Sequence, residues 1–157
     1  MQILVDADSC RREARELILR SSARLGIKAI FAANRLIPGI HVPSPQAEPA
    51  AAQMELCPSG EGAADDRIVA LAKPGDLVLT RDLPLAERLV DAGVTVLDDR
   101  GRIFTKENIR EQRSIRDFTM DLINSGLGME RVPSYGKKEL KKLADSLDRE
   151  LVKLNKP

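Results

Sequence analysis

The sequence predicts an α/β fold with helices on both faces of a mostly parallel sheet and a C-terminal helical extension. Three observations carry that expectation. Short β-favouring apolar runs alternate with helical periodicity over residues 1–100, glycine or proline punctuates each change of period, and residues 101–157 hold two long helical patterns without a strand between them. Connections of ten or more helical residues between apolar strands suit parallel βαβ units, whose strands are buried on both faces.

Ile3, Leu4 and Val5 form the first short strand run, which stops at Asp6-Ala7-Asp8-Ser9. Ala14, Leu17, Ile18 and Leu25 then recur at helical spacing until Gly26 supplies a stop. Residues 29–33 read as a second buried strand, and Pro38, Pro43, Pro45 and Pro49 predict an exposed, mobile loop over 34–50. A weak third strand is expected over 54–57. Gly60 and Gly62 follow it, and a helix begins at Ala63, with Ile68, Leu71 and Ala72 on its apolar side, and ends at Lys73-Pro74-Gly75. Residues 77–80 are the clearest strand. Pro84 suits the first turn of the next helix, which carries Leu85, Ala86, Leu89 and Val90 and closes at Gly93 before a fifth strand over 94–97. After the turn at 98–101, helices are expected over 106–125 and 137–154, with Gly126-Leu127-Gly128 and Pro133 between them.

A chain of 157 residues, 43% hydrophobic and 31% charged, suits a single domain over 1–157 with its own core, which argues against disorder and against a disulfide-stapled miniprotein. No apolar run approaches the roughly 18 residues of a membrane span, and Met1-Gln2 leads directly into the first strand, so no membrane partner and a cytoplasmic location are expected. Cys10, Cys57 and the lone His41 do not make a four-ligand zinc set, so no structural zinc is expected. The formal net charge is +1, but residues 1–100 carry 12 basic against 15 acidic side chains (net −3) and residues 101–157 carry 13 against 9 (net +4).

In open parallel sheets ligands bind beyond the carboxyl ends of the strands. The residues in those places are mainly acidic: Asp6 and Asp8 after the first strand, Asp65 and Asp66 after the third, Asp82 after the fourth, Asp98 and Asp99 after the fifth. Carboxylates crowded at one mouth repel each other unless a cation joins them, and hard oxygen donors favour Mg²⁺ or Mn²⁺. Such an ion suits hydrolysis at phosphorus. Any one of these aspartates has a plainer use as a helix cap, and Ser9, Asp65 and Asp82 stand where caps stand.

Val5-Asp6-Ala7-Asp8-Ser9-Cys10, Ala64-Asp65-Asp66-Arg67-Ile68, residues 75–86 from Gly75-Asp76 to Leu85-Ala86, and Arg116-Asp117-Phe118 together resemble the bacterial YaiI/YqxD family. That family is functionally uncharacterised and grouped with PIN-like domains. The resemblance implies a PIN-like three-layer α/β/α sandwich, with 1–100 as the α/β core and 101–157 as turn and C-terminal helices. It also implies an acidic cluster of Asp6, Asp8, Asp65 and Asp82 serving as catalytic metal ligands in a nuclease acting on RNA or DNA. Thr80 and Asp66 would stand behind those ligands and hold them by hydrogen bonds. Where the family pattern has a further Asp, this chain has Gly62; it also has Asp98-Asp99 in place of Asn-Pro, and Arg11-Arg12 in place of Pro-Val.

Under the nuclease reading Arg11, Arg12 and Arg15 reach phosphates near the acidic mouth, and Lys106, Arg110 and Arg113 extend the track; the plainer reading is a solvated helix face. Lys137, Lys138, Lys141 and Lys142 pose the same choice. With four aromatic residues in the chain, nucleic-acid binding is expected to be electrostatic rather than by base stacking. A haloacid-dehalogenase-type phosphatase would use Asp6 as nucleophile with Asp8, Thr80 and Asp98-Asp99, yet no Lys lies between Thr80 and Asp98 as that chemistry requires. A non-catalytic nucleic-acid- or protein-binding module is the other alternative, motivated by Gly62. Cys10 lacks an identifiable base, and His41 reads as an ordinary loop residue.

Overall fold

The computed structural model describes residues 1–43, 51–128 and 134–156. Strands β1 (Ile3–Asp6), β2 (Ala29–Ala33), β3 (Ala52–Leu56), β4 (Leu77–Leu79) and β5 (Thr95–Leu97) form one sheet in the order β3-β2-β1-β4-β5. All four pairings are parallel, so the sheet is wholly rather than mostly parallel. The helices are α1 (Arg12–Leu25), α2 (Ala63–Leu71), α3 (Leu83–Asp91), α4 (Lys106–Asn124) and α5 (Lys137–Leu154).

Because successive side chains of a strand point to opposite faces, the alternation sorts the core into two layers. Ile3, Val5, Phe31, Leu77, Leu79 and Leu97 meet α1 and α5 on one face. Leu4, Ile30, Val78 and Val96 meet α2, α3 and the start of α4 on the other. The result is three layers, α/β/α. Right-handed crossovers explain the division, since β1 to β2 and β4 to β5 run outward in opposite directions and must place α1 and α3 on opposite faces.

α5 packs beside α1 on its face of the sheet. Leu143, Leu147 and Leu151 are 0–2% exposed, each such burial contributing about 1.5–3 kcal/mol. Gly101 (φ +83) permits that docking, because a Cβ there would lie 2.5 Å from the Lys142 carbonyl oxygen. α4 has an equally regular pattern and a reciprocal Thr105–Asn108 capping box, yet among its residues only Ile109 is buried, and Ile115, Phe118 and Met120 are exposed.

Three expectations need correction. The third strand lies at Ala52–Leu56 rather than 54–57, drawn into register with β2 from Ala29↔Ala52 to Ala33↔Leu56. Thr80 falls just beyond β4, and Val94 just before β5. The segment after β2 is not simply exposed: Ile37 and Ile40 are under 10% exposed and pack on the α1 face, and the Met54 N–H donates to the His41 carbonyl (2.6 Å). Pro45, Pro49 and Pro133 lie outside the described residues.

Candidate functional site

β1 and β4 are neighbours whose following connections leave in opposite directions, so their carboxyl ends border the crevice of the switch point. A cavity of about 290 Å³ opens there, and Asp6, Asp8, Asp65 and Asp82 all line it, together with Ser9, Asn34 and Gly62. Among the described residues no Lys or Arg lines it. Four aspartates from three separate segments of the chain thus share one concave surface.

Asp6 ends β1 and is 4% exposed. Thr80 Oγ1 donates to its Oδ2 (2.8 Å) and in turn accepts from the Asp82 N–H (3.1 Å), so one hydroxyl ties two of the acids. Burial raises the Asp6 pKa; the Thr80 and Ser9 hydrogen bonds oppose this, and the charges of Asp82 and Asp8 add to it. Asp65, in the first turn of α2, is also raised, by burial first and then by Asp82 and Asp6. These two groups therefore sense the crowding of negative charge directly.

Asp82 caps α3, its Oδ1 accepting from the Leu85 N–H (3.0 Å), so the capping role is real and coexists with its place in the cavity wall. Asp8 accepts from the Asn34 N–H (3.3 Å) and lies 3.6 Å from Arg35 Nε, which moors it to the end of β2. The Arg81 N–H donates to Ser9 Oγ (3.2 Å), joining the loop after β4 to the loop after β1.

Other expected residues lie elsewhere. Asp66 does not line the cavity; it pairs with Arg88 of α3 at 2.9 Å. Arg11 lies 3.5 Å from Asp99 and 4.9 Å over the Tyr135 ring, Arg12 pairs with Glu16, and Arg15 donates to the carbonyls of Ala7 and Cys10. None of the three lines the acidic cavity. Gly62 does, in a left-handed conformation (φ +77) with nothing within 4 Å of a Cβ placed there. Burial pushes the Cys10 thiol up to about 12, so it is protonated at neutral pH and unsuited to nucleophilic attack. Asn34 and Arg35 were not legible as site residues from sequence, because only the β1–β2 pairing brings the end of β2 beside Asp8.

Among the described residues no three His, Cys, Asp or Glu side chains are close enough to hold an ion as a ready-made cage. The donor set nonetheless fits a hard cation. It is all oxygen, it sets four carboxylates against the one guanidinium of Arg35 beside Asp8, and Mg²⁺ commonly binds through one or two carboxylates while keeping several waters.

The family described as "Uncharacterized BCR, YaiI/YqxD family" matches residues 4–153. A UPF0178 protein of Treponema pallidum is 46% identical over 154 residues, covering 98% of this chain and 83% of the relative. UPF0178 proteins of Syntrophobacter fumaroxidans and Treponema denticola are 44% and 43% identical, each covering 98% of this chain and 95% and 93% of the relative. No solved structure matches the chain. No helix among the described residues is long and apolar enough to cross a membrane.

Proposed function

The chain belongs to the YaiI/YqxD family, and on that premise we propose that it is a PIN-like, divalent-metal-dependent nuclease that hydrolyses phosphodiester bonds of RNA or DNA. One observation carries the reading: four aspartates meet at the switch-point crevice, with no Lys or Arg among the described residues that line it. Asp6, Asp8, Asp65 and Asp82 would hold Mg²⁺ or Mn²⁺, which supplies an activated water and stabilises charge developing at phosphorus.

The chain's own groups do the positioning. Thr80 fixes the Asp6 carboxylate through Oδ2, leaving Oδ1 without that bond, and the α3 cap holds Asp82 in the wall. Asn34 anchors Asp8. Without a cation the four negative charges repel phosphate, so ion and substrate binding at this cavity are mutually dependent.

A second reading, a binding module without catalysis, is favoured by the lack of any three-group metal cage among the described residues. Calorimetric titration of Mn²⁺ into the wild type and Asp6→Asn, with circular dichroism to verify folding, separates the two. The nuclease reading expects binding that Asp6→Asn abolishes, followed by hydrolysis of an RNA or DNA oligonucleotide. Absence of Mn²⁺ binding even with oligonucleotide present sinks it and leaves the binding module.

A further inference from the structure

The loop after β4 serves a second cavity. Asp82 lines the acidic one, whereas Arg81 and Leu83 line another of about 260 Å³ between the ends of β4 and β5 and the side of α4, where Arg100 and Arg102 also line the wall. Two acids are present too. The Asp98 Oδ1 is spent on the N–H groups of Arg100 (2.9 Å) and Arg102 (2.8 Å), closing the turn. Asp99, 2% exposed, lies 3.5 Å from Arg11 Nε and 3.8 Å from Arg81 Nε, and its Oδ2 has no hydrogen-bond partner.

Asp99 therefore restrains Arg81 by charge without consuming a hydrogen bond. A guanidinium carries five donors in a planar fork suited to phosphate, and the pair leaves those of Arg81 unspent on Asp99. Arg100 is held at the wall, donating to the Ser134 carbonyl (3.1 Å) and lying 3.9 Å from Glu139. Arg102 is exposed and makes no ion pair within the described residues. Three guanidiniums against two carboxylates leave the wall at +1, whereas the neighbouring cavity carries −4. Arg81 and Asp82 are consecutive residues that line different cavities, so the two spaces adjoin across a single peptide unit, about 3.8 Å between Cα atoms.

We propose that Arg81 and Arg102 bind the backbone phosphate next to the one presented to the acidic cavity, making this arginine cavity a sequence-independent nucleic-acid subsite. The inference rests on the nuclease reading for what lies next door, but its test needs no turnover. Binding of a short fluorescent single strand is followed by anisotropy in EDTA over a range of salt, for the wild type, Arg102→Ala, Arg81→Ala with Arg102→Ala, and Arg20→Ala. Arg20 is exposed on α1 and lines neither cavity.

The double variant is expected to bind about tenfold more weakly, and the slope of log affinity against log salt to shrink by about 0.7, the value of one phosphate on a single strand. Arg102→Ala shows part of this loss if Arg81→Ala perturbs folding, and Arg20→Ala shows none. Unchanged affinity and slope in the arginine variants, an equal loss in Arg20→Ala, or no strand binding by the wild type overturns the subsite. Strand binding lost in the double variant, with no hydrolysis or Mn²⁺ binding by the wild type, supports the subsite and removes the nuclease. Hydrolysis by the wild type with binding intact in the double variant does the reverse.

Discussion

Two cavities that adjoin at Arg81-Asp82 differ in sign and in origin. The acidic one is built from residues that directly follow strands or open a helix, so its members are set by local sequence position. The arginine-lined one draws on the loop after β4, the start of α3, the 98–102 turn and the side of α4, and no single stretch of sequence announces it. In a parallel sheet the carboxyl edge collects whatever follows each strand, and alternating residues of one loop can then feed opposite charges into adjoining spaces.

The contrast is broken most severely by removing charge from the acidic side. Asp6→Asn is expected to lower the rate of oligonucleotide hydrolysis by at least about 100-fold, since losing even an outer partner of a metal ligand costs 10- to 100-fold. Its effect on the metal-free fold has the opposite sign. The folded Asp6 pKa is raised above 3.8, so the unfolded chain releases this proton first, and stability falls as pH rises from 3.8 through the folded value. Asp6→Asn should therefore melt higher than wild type above that window, with the difference vanishing below it, as thermal denaturation across pH would reveal. A lower melting point at neutral pH would contradict the electrostatic account of the cavity.

Thr80→Val tests the hydroxyl that joins Asp6 to Asp82 without changing shape. Expected losses are about 10- to 100-fold in Mn²⁺ affinity and about 1–3 kcal/mol of stability in urea, because a buried acceptor loses its donor. Gly62→Asp sharpens the contrast instead, placing a fifth carboxylate in the acidic wall. Tighter Mn²⁺ binding is expected with about 1 kcal/mol less stability, since φ +77 favours glycine and Asp adopts it at modest cost. The smallest effect is expected at Cys10, which feels Asp99 on one side and Asp6 on the other behind a dominant burial penalty. Its thiol should resist alkylation at neutral pH in the native protein, and Cys10→Ser should leave hydrolysis unchanged.

The helices show where sequence pattern stops being informative. The periodicities of α4 and α5 are both regular, and both spans are close to those expected from sequence, yet α5 buries Leu143, Leu147 and Leu151 while α4 buries Ile109 alone. Amphipathicity names a face and not what covers it. The same limit explains the basic residues at the start of α1. Arg11, Arg12 and Arg15 stand near the acidic loop in sequence, but Asp99, Glu16 and two backbone carbonyls occupy them. Asp66 follows Asp65 directly and still points its charge to Arg88, because adjacent helical residues face different ways.

Strand and helix identity, the α/β class, and the placing of Asp6, Asp8, Asp65 and Asp82 at strand ends or in the connections that follow them were determined by the sequence alone. Periodicity, glycine and proline stops, and residues flanking strands are local properties, and a carboxyl-end position in a parallel sheet follows from them directly. Tertiary structure alone decided the order β3-β2-β1-β4-β5, the meeting of those four aspartates in one cavity, and the gathering of Arg81, Arg100 and Arg102 in another. These are contacts between distant parts of the chain, fixed by right-handed crossovers and by which apolar face each helix covers.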